Sequence, residues 1–189
     1  SGAGAHLVWA PSVADIYPAG FATRIEVGGA ALPLEGTFRP HHFGGVATVV
    51  CKLLMSAMPD VALFGEKDYQ QLAVIRQMAR DLALPVAIRG VPTVREADGL
   101  ALSSRNAYLN ADERYAAPML YKAILDVARG RDPREAAEAL IAAGFAKVDY
   151  IEVRDAETLG PYEAGTGRPG RVLAAAWLGK TRLIDNVAC

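Results

Sequence analysis

The stretch FGEKDYQQ at residues 64–71 combines side chains that could hold a phosphorylated ligand. It follows a short apolar run, so a buried strand is expected to end there and a helix to begin. In an open α/β sheet, ligands bind beyond the carboxyl ends of strands, where a helix N-terminus presents free N–H groups. Gly65 would allow close backbone approach, Lys67 would neutralise phosphate, and Asp68 would accept hydrogen bonds from ribose hydroxyls. Alternatively, Asp68 and Gln71 form a capping box, and the octapeptide leaves both interpretations open.

A second polar stretch, ALSSRN at residues 101–106, offers two hydroxyls and a guanidinium. Because an arginine fork matches phosphate oxygens, Ser103, Ser104 and Arg105 together suit a polyphosphate. The alternative is a local turn whose serines satisfy nearby backbone groups. The next predicted helix already has its own cap in Asn110, so these serines are not needed to cap that helix.

A third stretch, RPHHFGG at residues 39–45, holds two of the three histidines. A protein metal site needs a third or fourth ligand at suitable spacing, and none accompanies His41 and His42, so no metal ligands are predicted. His42 is instead expected to orient the start of a helix or to contact a ligand. The sequence has no Walker A loop, no GxGxxG and no Ser-His-Asp arrangement, so nucleophilic catalysis is not supported.

The elements that would carry these stretches form a strand–helix–strand pattern in the first half. Strands are predicted at 6–10, 22–27, 61–65 and from 85 toward 94, and helices at 45–58 and 68–84. The second of these helices would bury one face, formed by Leu72, Ile75, Ala79 and Leu82. A near-continuous apolar strand in such a unit predicts a parallel sheet covered on both faces.

After Val94 the pattern changes to polar turns, helices and antiparallel strands. A turn at Asp98-Gly99 is followed by helices predicted at 110–129 and 132–144, and by strands at 148–154, 171–178 and 182–187. We therefore expect an α/β protein of two domains. Residues 1–94 would form part of a Rossmann-like parallel sheet domain, and residues 95–189 a smaller α+β domain that ends in a hairpin.

Composition limits the classes of partner. The 189-residue chain is 52% hydrophobic and carries a net charge of −1, which gives no general attraction to nucleic acid or to anionic membranes. The sequence has no apolar run near the roughly 18 residues that a membrane helix needs. Its two cysteines, Cys51 and Cys189, suggest neither a disulfide framework nor a metal pair, so a cytoplasmic location is expected.

Taken together, the sequence resembles the pantothenate synthetase (pantoate–β-alanine ligase) family over nearly its whole length. The resemblance rests on five stretches: VWAPSVADIYP, LEGTFRPHHFGGVATVV, LFGEKDYQQLAVIRQM, VPTVREADGLALSSRNAYL and AAAWLGKTRLIDN. It implies condensation of pantoate with β-alanine through a pantoyl adenylate, with ATP and Mg²⁺, in the cytoplasm and on the way to coenzyme A. It also implies a homodimer whose subunits combine a Rossmann-like nucleotidyl-transferase domain with a smaller C-terminal domain over the active site.

The FGEKDYQQ stretch matches the part of the family that contacts nucleotide and pantoate. By this resemblance, Gly65 and Asp68 would hold the ATP ribose and Lys67 a phosphate, while Gln71 would contact pantoate. Val94 would meet the adenine through its backbone.

The ALSSRN stretch matches the family's version of the KMSKS loop, which grips the phosphates. Arg39 and His42 lie in the family's RPGHF stretch near the active site and are implied in substrate binding. The residues implied in catalysis, by positioning and by charge neutralisation, are Lys67, Ser103, Ser104 and Arg105.

The sequence departs from the family pattern in two respects. The family usually reads RPGHFRGV, whereas this chain has His41 for the glycine and Gly44 for the arginine. The family's N-terminal HxGH signature, whose histidines bind ATP phosphates, does not occur, so the chain resembles the C-terminal two-thirds of the enzyme. We therefore expect a fragment that is nearly inactive by itself. Two alternatives are an ATP-binding fragment without catalysis and a nucleotide-binding module like those of class I tRNA synthetases, although near-neutral charge argues against RNA binding.

Overall fold

A computed structural model describes residue 2 and residues 4–189. Within them the helices are α1 Val13–Ile16, α2 Glu35–Phe38, α3 His42–Ala57, α4 Tyr69–Asp81, α5 Ala111–Ala116, α6 Met119–Ala128 and α7 Pro133–Ala142. The strands are β1 Val61–Gly65, β2 Ala87–Val91, β3 Lys147–Asp155, β4 Gly170–Leu178 and β5 Thr181–Ala188. Three 3₁₀ helices span Gly29–Ala31, Glu66–Asp68 and Ser104–Tyr108.

The predicted strand–helix–strand unit is confirmed. Strands β1 and β2 pair in parallel, with Val61 opposite Ala87 and Gly65 opposite Val91, and α4 forms the crossover between them. Helix α4 packs its apolar side against this sheet and against α3. The predicted buried face of α4 is correct except at Leu82, which is 48% exposed because the helix ends at Asp81 and Ala83 turns into the left-handed region.

The prediction that both faces of this sheet are covered is wrong for the described residues. Alternate side chains of β1 face solvent, and Leu63 is 65% exposed. The other face, with Ala62 and Phe64, packs against Ile75 and Met78. An apolar run shows that a strand is suited to burial, but only a second packed layer can cover its other face.

The strands predicted at 6–10 and 22–27 are also wrong. Both segments lie outside any strand, and Leu7 is 83% exposed. A strand needs a neighbour for its backbone hydrogen bonds, and no described strand runs beside either segment. The amide of Ile25 donates instead to the Thr48 hydroxyl on α3, at 3.0 Å.

The second half contains the predicted antiparallel sheet, in the order β3–β4–β5. The β4–β5 hairpin turns at Gly179, whose φ of 53° lies in the left-handed region. Helices α6 and α7 cover one face of the sheet, and the largest side chains of that core include Leu120, Ile124 and Leu140.

The helix predicted at 110–129 is two helices, because Pro118 has no N–H to continue the first one. Its predicted cap is confirmed. The Asn110 side chain accepts from the Glu113 amide at 2.9 Å, and the Glu113 carboxylate accepts from the Asn110 amide at 2.9 Å.

The other face of the antiparallel sheet packs against the first half of the chain. One cluster of buried side chains joins Tyr69 and Val74 of α4 to Tyr150 of β3 and Leu173 of β4. The carboxyl end of β1 therefore faces strands β4 and β5. No helix in the described part of the chain is long and apolar enough to cross a membrane.

Candidate active site

A cavity of about 200 Å³ lies where the chain leaves β1, bounded by the starts of α3 and α4 and by strands β4 and β5. Parallel α/β sheets bind ligands at this end of their strands. Six of the ten sequence-predicted residues line the cavity: Arg39, His42, Lys67, Asp68, Gln71 and Arg105. Three separate stretches of sequence therefore meet at one place.

A short 3₁₀ turn presents Lys67 and Asp68 to this cavity. The turn, Glu66–Asp68, joins β1 directly to α4. The side-chain amide of Asn186 on β5 donates to the carbonyls of Glu66 and Lys67, both at 2.9 Å. The last strand of the chain thus holds the backbone that carries the predicted phosphate and ribose contacts.

The capping-box interpretation of Asp68 and Gln71 is wrong. Asp68 occupies the N-cap position of α4, but its side chain makes no capping hydrogen bond, and its ψ of 58° is unlike the extended backbone of a normal cap. The carboxylate instead lines the cavity. A ribose or metal-bound water could therefore use it without competition from the helix.

Gly65 is not required by the turn itself. Its φ of −65° is open to any residue, and a Cβ atom there would meet nothing within 4 Å. It does not line the cavity. The open space beside this backbone would allow a ligand to approach it closely.

Residues of the ALSSRN stretch have two different roles: one caps a short helix and another lines the cavity. The Ser103 hydroxyl accepts from the Arg105 amide at 3.2 Å and so caps the 3₁₀ helix Ser104–Tyr108. The predicted local role is therefore confirmed for Ser103, which caps a short helix that precedes the one capped by Asn110. Arg105 reaches the cavity and donates to the Arg182 carbonyl at 3.4 Å. Ser103 lies beside Lys67 and Arg105 around a smaller adjoining pocket.

Besides Gly65, two sequence-predicted residues lie outside these cavities. Ser104 is exposed on the short 3₁₀ helix. Val94 is 64% exposed, and its carbonyl accepts from the Leu102 amide at 2.9 Å. Its backbone therefore closes a loop between the end of β2 and the ALSSRN stretch.

A buried ionic network in the wall of the cavity was missed by sequence reasoning. The Glu35 carboxylate on α2 pairs with the Arg182 guanidinium of β5, with N–O distances of 2.7 and 2.9 Å. It also accepts a hydrogen bond from the Tyr150 hydroxyl at 2.8 Å. Arg182 also donates to Asp149 at 2.7 Å. The available signal was charged residues within the stretches that resemble the family, Glu35 in LEGTF and Arg182 in GKTRL.

Gln70 fixes the position of Glu35. Its side-chain nitrogen donates to the carbonyls of Ala30 and Pro33 at 2.9 and 2.6 Å, and its oxygen accepts from the Glu35 amide at 3.1 Å. The first turn of α4 therefore orders the segment before α2 as well as lining the cavity.

The electrostatics of this region set three protonation states. Burial, and then the neighbouring Arg39 guanidinium, lower the pKa of His42 below its ordinary 6.5, so His42 is neutral at pH 7. Burial and the Glu35 carboxylate raise the pKa of Tyr150 far above its ordinary value. Burial alone would raise the pKa of Asp149, but hydrogen bonds from Lys147, Arg182 and Trp177 lower it.

The cations around the cavity differ in how far they are neutralised. Arg182 is committed to Glu35 and Asp149, and Arg39 lies 3.9 Å from Glu35. Among the described residues, Lys67 makes no ion pair, and the Arg105 guanidinium donates only to the Arg182 carbonyl. Lys67 and Arg105 are therefore available to bind an anionic ligand that carries several charges.

A wider recess of about 810 Å³ adjoins the cavity and shares Arg39, Arg105 and Arg182 with it. Its apolar wall includes Trp177 and Tyr108. The same guanidinium groups therefore border two spaces, which leaves room for more than one substrate.

The two substitutions within the RPGHFRGV motif, Gly44 and His41, have local explanations. Gly44 is buried, and a Cβ atom there would lie 3.3 Å from both the Ile25 carbonyl and the Glu26 carboxylate. The larger residue of the family pattern would require these neighbours to move. His41 has a φ of −99° and is exposed, so its backbone conformation does not call for glycine.

Comparison with known proteins identifies the class that this fold and cavity represent. The family model described as pantoate-beta-alanine ligase matches residues 1–188. A pantothenate synthetase from Paramagnetospirillum magneticum is 59% identical over 99% of this chain and 68% of its own length. One from Mesorhizobium japonicum is 58% identical over 97% of this chain and 67% of its own length.

Solved structures agree with these relatives. The pantothenate synthetase of Thermus thermophilus superposes with a TM-score of 0.87 at 47% identity, over 98% of this chain and 70% of its own. The pantoate-beta-alanine ligase of Francisella tularensis, solved with beta-gamma ATP and beta-alanine, has a TM-score of 0.74 at 36% identity, over 92% of this chain and 61% of its own. The chain therefore belongs to the pantoate-beta-alanine ligase family, and its α/β fold is that of the family.

Proposed function

We propose that this chain carries the machinery for ATP-dependent condensation of pantoate with β-alanine. Family membership supports this reaction. The observation that carries it is the meeting of Lys67, Asp68, Gln71 and Arg105 around one cavity at the carboxyl end of β1. Family membership also favours this reaction over the module resembling class I tRNA synthetases.

The nucleotide would lie along the 3₁₀ turn and the ALSSRN stretch. Lys67 and Arg105 are the cations available to its phosphates, and Ser103 and Ser104, which precede Arg105 in the chain, would add hydroxyl donors. Asp68 and the open backbone at Gly65 would take the ribose. Val94, on the loop after β2, would meet the adenine through its backbone.

Pantoate would bind on the α3 and α4 side of the cavity. Gln71 and Arg39 offer an amide and a guanidinium there. His42, neutral at pH 7, can donate or accept a hydrogen bond without adding charge. These groups would place the pantoate carboxylate against the α-phosphate.

The proposed reaction has two steps. The pantoate carboxylate attacks the α-phosphorus of ATP, and pyrophosphate leaves to give pantoyl adenylate. The β-alanine amine then attacks the acyl carbon, AMP leaves with the bonding electron pair, and the amine loses a proton. The chain supplies no nucleophile, so its contribution is positioning and neutralisation of phosphate charge.

Mg²⁺ belongs to the same proposal as a companion of the nucleotide. The described residues include no group of three or more acidic, histidine or cysteine side chains that could hold a metal ion. Mg²⁺ on a nucleotide is held by phosphates, water and one or two carboxylates, and the Asp68 carboxylate in the cavity wall is a group of that kind. Bound there, Mg²⁺ would neutralise phosphate charge.

The remaining elements of the proposal rest on the family resemblance. They are a homodimer, a cytoplasmic location, and the division into a nucleotide-binding domain at residues 1–94 and a smaller domain at residues 95–189. The separate parallel and antiparallel sheets support that division.

A chimaera tests the reaction directly. The Paramagnetospirillum magneticum relative matches this chain over 68% of its length, so this chain can replace that part of it. We expect AMP to form from ATP only when pantoate and β-alanine are both present. Lys67→Ala in the chimaera should lower the rate by about 10²–10³, as for loss of one charge-stabilising contact.

The matched control is Lys122→Ala, a lysine exposed on α6 away from the cavity. It should keep the full rate. AMP release that does not depend on pantoate, or a Lys67→Ala chimaera as active as the control, would contradict the proposed function.

A further inference from the structure

We propose that Asn186 is a positioning residue, which acts on the nucleotide through the turn that presents Lys67 and Asp68. The proposal rests on the proposed function and adds a residue to it. Asn186 lies on β5, at the far end of the chain from that turn. It lies in the wall of the cavity but is only 3% exposed, and both polar atoms of its side chain are bonded within the protein.

The first observation is its pair of hydrogen bonds. One side-chain amide nitrogen donates to the carbonyls of both Glu66 and Lys67, each at 2.9 Å. These carbonyls belong to consecutive peptide units. Holding both fixes the two peptide planes, and with them the directions in which the side chains of Lys67 and Asp68 leave the backbone.

The orientation of the Asn186 amide is itself determined. Its side-chain oxygen accepts from Nε of Arg171 at 2.7 Å. Because an arginine can only donate, the oxygen must face Arg171 and the NH₂ group must face the turn. The Arg171 guanidinium also lies 3.8 Å from the centre of the ring of Tyr69, the first residue of α4. It donates to the Glu66 carboxylate at 3.4 Å.

The preceding residue anchors the strand. Asp185 accepts from its neighbour's backbone amide at 2.8 Å and pairs with both terminal nitrogens of Arg95, at 2.6 and 2.9 Å. The Arg95 guanidinium in turn lies 3.7 Å from the centre of the Tyr121 ring on α6. The donor that holds the turn is therefore fixed to the core of the second half.

The turn needs such support. It is a single 3₁₀ turn of three residues, and the Asp68 side chain does not cap the helix that follows. In catalysis by positioning, a displacement of about 1 Å can cost about 10²-fold in rate. A residue that holds this turn would therefore influence nucleotide binding through the backbone of the turn.

Asn186→Asp tests the proposal in the full 189-residue chain. The substitution keeps the shape and the acceptor toward Arg171, but replaces the donors toward the two carbonyls with an acceptor. We expect ATP affinity, measured by calorimetry, to fall about tenfold. Backbone order parameters of Lys67 and Asp68, measured by ¹⁵N relaxation without ATP, should fall from the rigid value of about 0.85 toward 0.6.

Leu140→Ala is the control for a merely structural effect. Leu140 is fully buried in the core between α7 and the antiparallel sheet, away from the turn. This variant should be less stable, yet keep both the order parameters of the turn and the ATP affinity. Asn186→Ser, which retains one donor, serves as a milder variant and should give an intermediate result.

A double-mutant cycle with Lys67→Ala shows whether Asn186 acts through the turn. Once Lys67 is absent, Asn186→Asp should weaken ATP binding by less than it does in the parent chain, because coupled residues are not additive. Fully additive effects together with unchanged order parameters would overturn the positioning role. If Lys67→Ala leaves ATP affinity unchanged, the proposed function fails, and the order parameters still decide whether Asn186 holds the turn.

Discussion

At the scale of single residues, the cavity is defined by which charges are already neutralised. Arg182 lines the cavity, but its charge is already bound to two carboxylates. Lys67 and Asp68 keep their charged ends free of partners among the described residues. Charges left unpaired at the end of a parallel strand are more consistent with ligand binding than with stabilisation of the fold.

Asp68→Asn separates binding from stability. Because Asp68 makes no capping hydrogen bond, the free energy of unfolding in urea should change by less than about 0.5 kcal/mol. ATP affinity should fall, since the amide is a weaker acceptor for ribose hydroxyls. A loss of about 1 kcal/mol in stability with unchanged ATP affinity would restore the capping interpretation.

The sequence predicted those site residues that can be recognised from their immediate neighbours in the chain. Lys67 and Asp68 could be recognised because they stand where a predicted strand ends and a helix begins. Arg105 could be recognised because it follows two serines in a polar loop. Glu35 and Tyr150 could not be found in this way, since they lie 115 residues apart in sequence and meet only in the folded chain. A buried ion pair requires knowledge of which elements pack together.

At the scale of elements, the local patterns succeeded where an element is stabilised by its own sequence. The Asn110 capping box and the amphipathic face of α4 are examples, and both follow from short-range rules. The segments at 6–10 and 22–27 failed because a strand exists only beside a partner strand. Apolar alternation indicates strand propensity, but the partner is a property of the fold.

The contact between α2 and β3 gives a pH dependence that can be measured. Burial and Glu35 keep Tyr150 protonated in the folded protein well above pH 10.0, where an unfolded tyrosine ionises. The folded state then binds more protons than the unfolded state, so stability should fall as pH rises through 10. The slope from this one group approaches about 1.4 kcal/mol per pH unit.

Tyr150→Phe should therefore reduce the loss of stability above pH 10, while it lowers stability at pH 7 by roughly 1.5–3 kcal/mol through the lost bond to Glu35. Urea unfolding at several pH values measures both effects. Tyr115→Phe is the control, because Tyr115 is 90% exposed. Equal alkaline slopes for Tyr150→Phe and the parent chain would show that this contact does not hold the proton.

At the scale of the whole molecule, the cavity exists because the two halves pack together. Tyr69 and Val74 of α4 share a core with Tyr150 and Leu173 of the antiparallel sheet. That packing brings β5 behind the turn at Lys67, and places Arg105 opposite it. The sequence predicted both sheets, but not the face on which they meet, since no local pattern encodes the docking of two layers.

The central claim is that this cavity holds the phosphates of ATP between Lys67 and Arg105. Calorimetric titration of the 189-residue chain with ATP tests it most directly, with Arg105→Ala beside Arg134→Ala, an exposed arginine on α7. We predict saturable binding that weakens roughly 10- to 100-fold in Arg105→Ala, as for loss of a charge-assisted hydrogen bond, and that Arg134→Ala leaves unchanged. No binding by the parent chain, or equal affinity in both variants, would contradict the account.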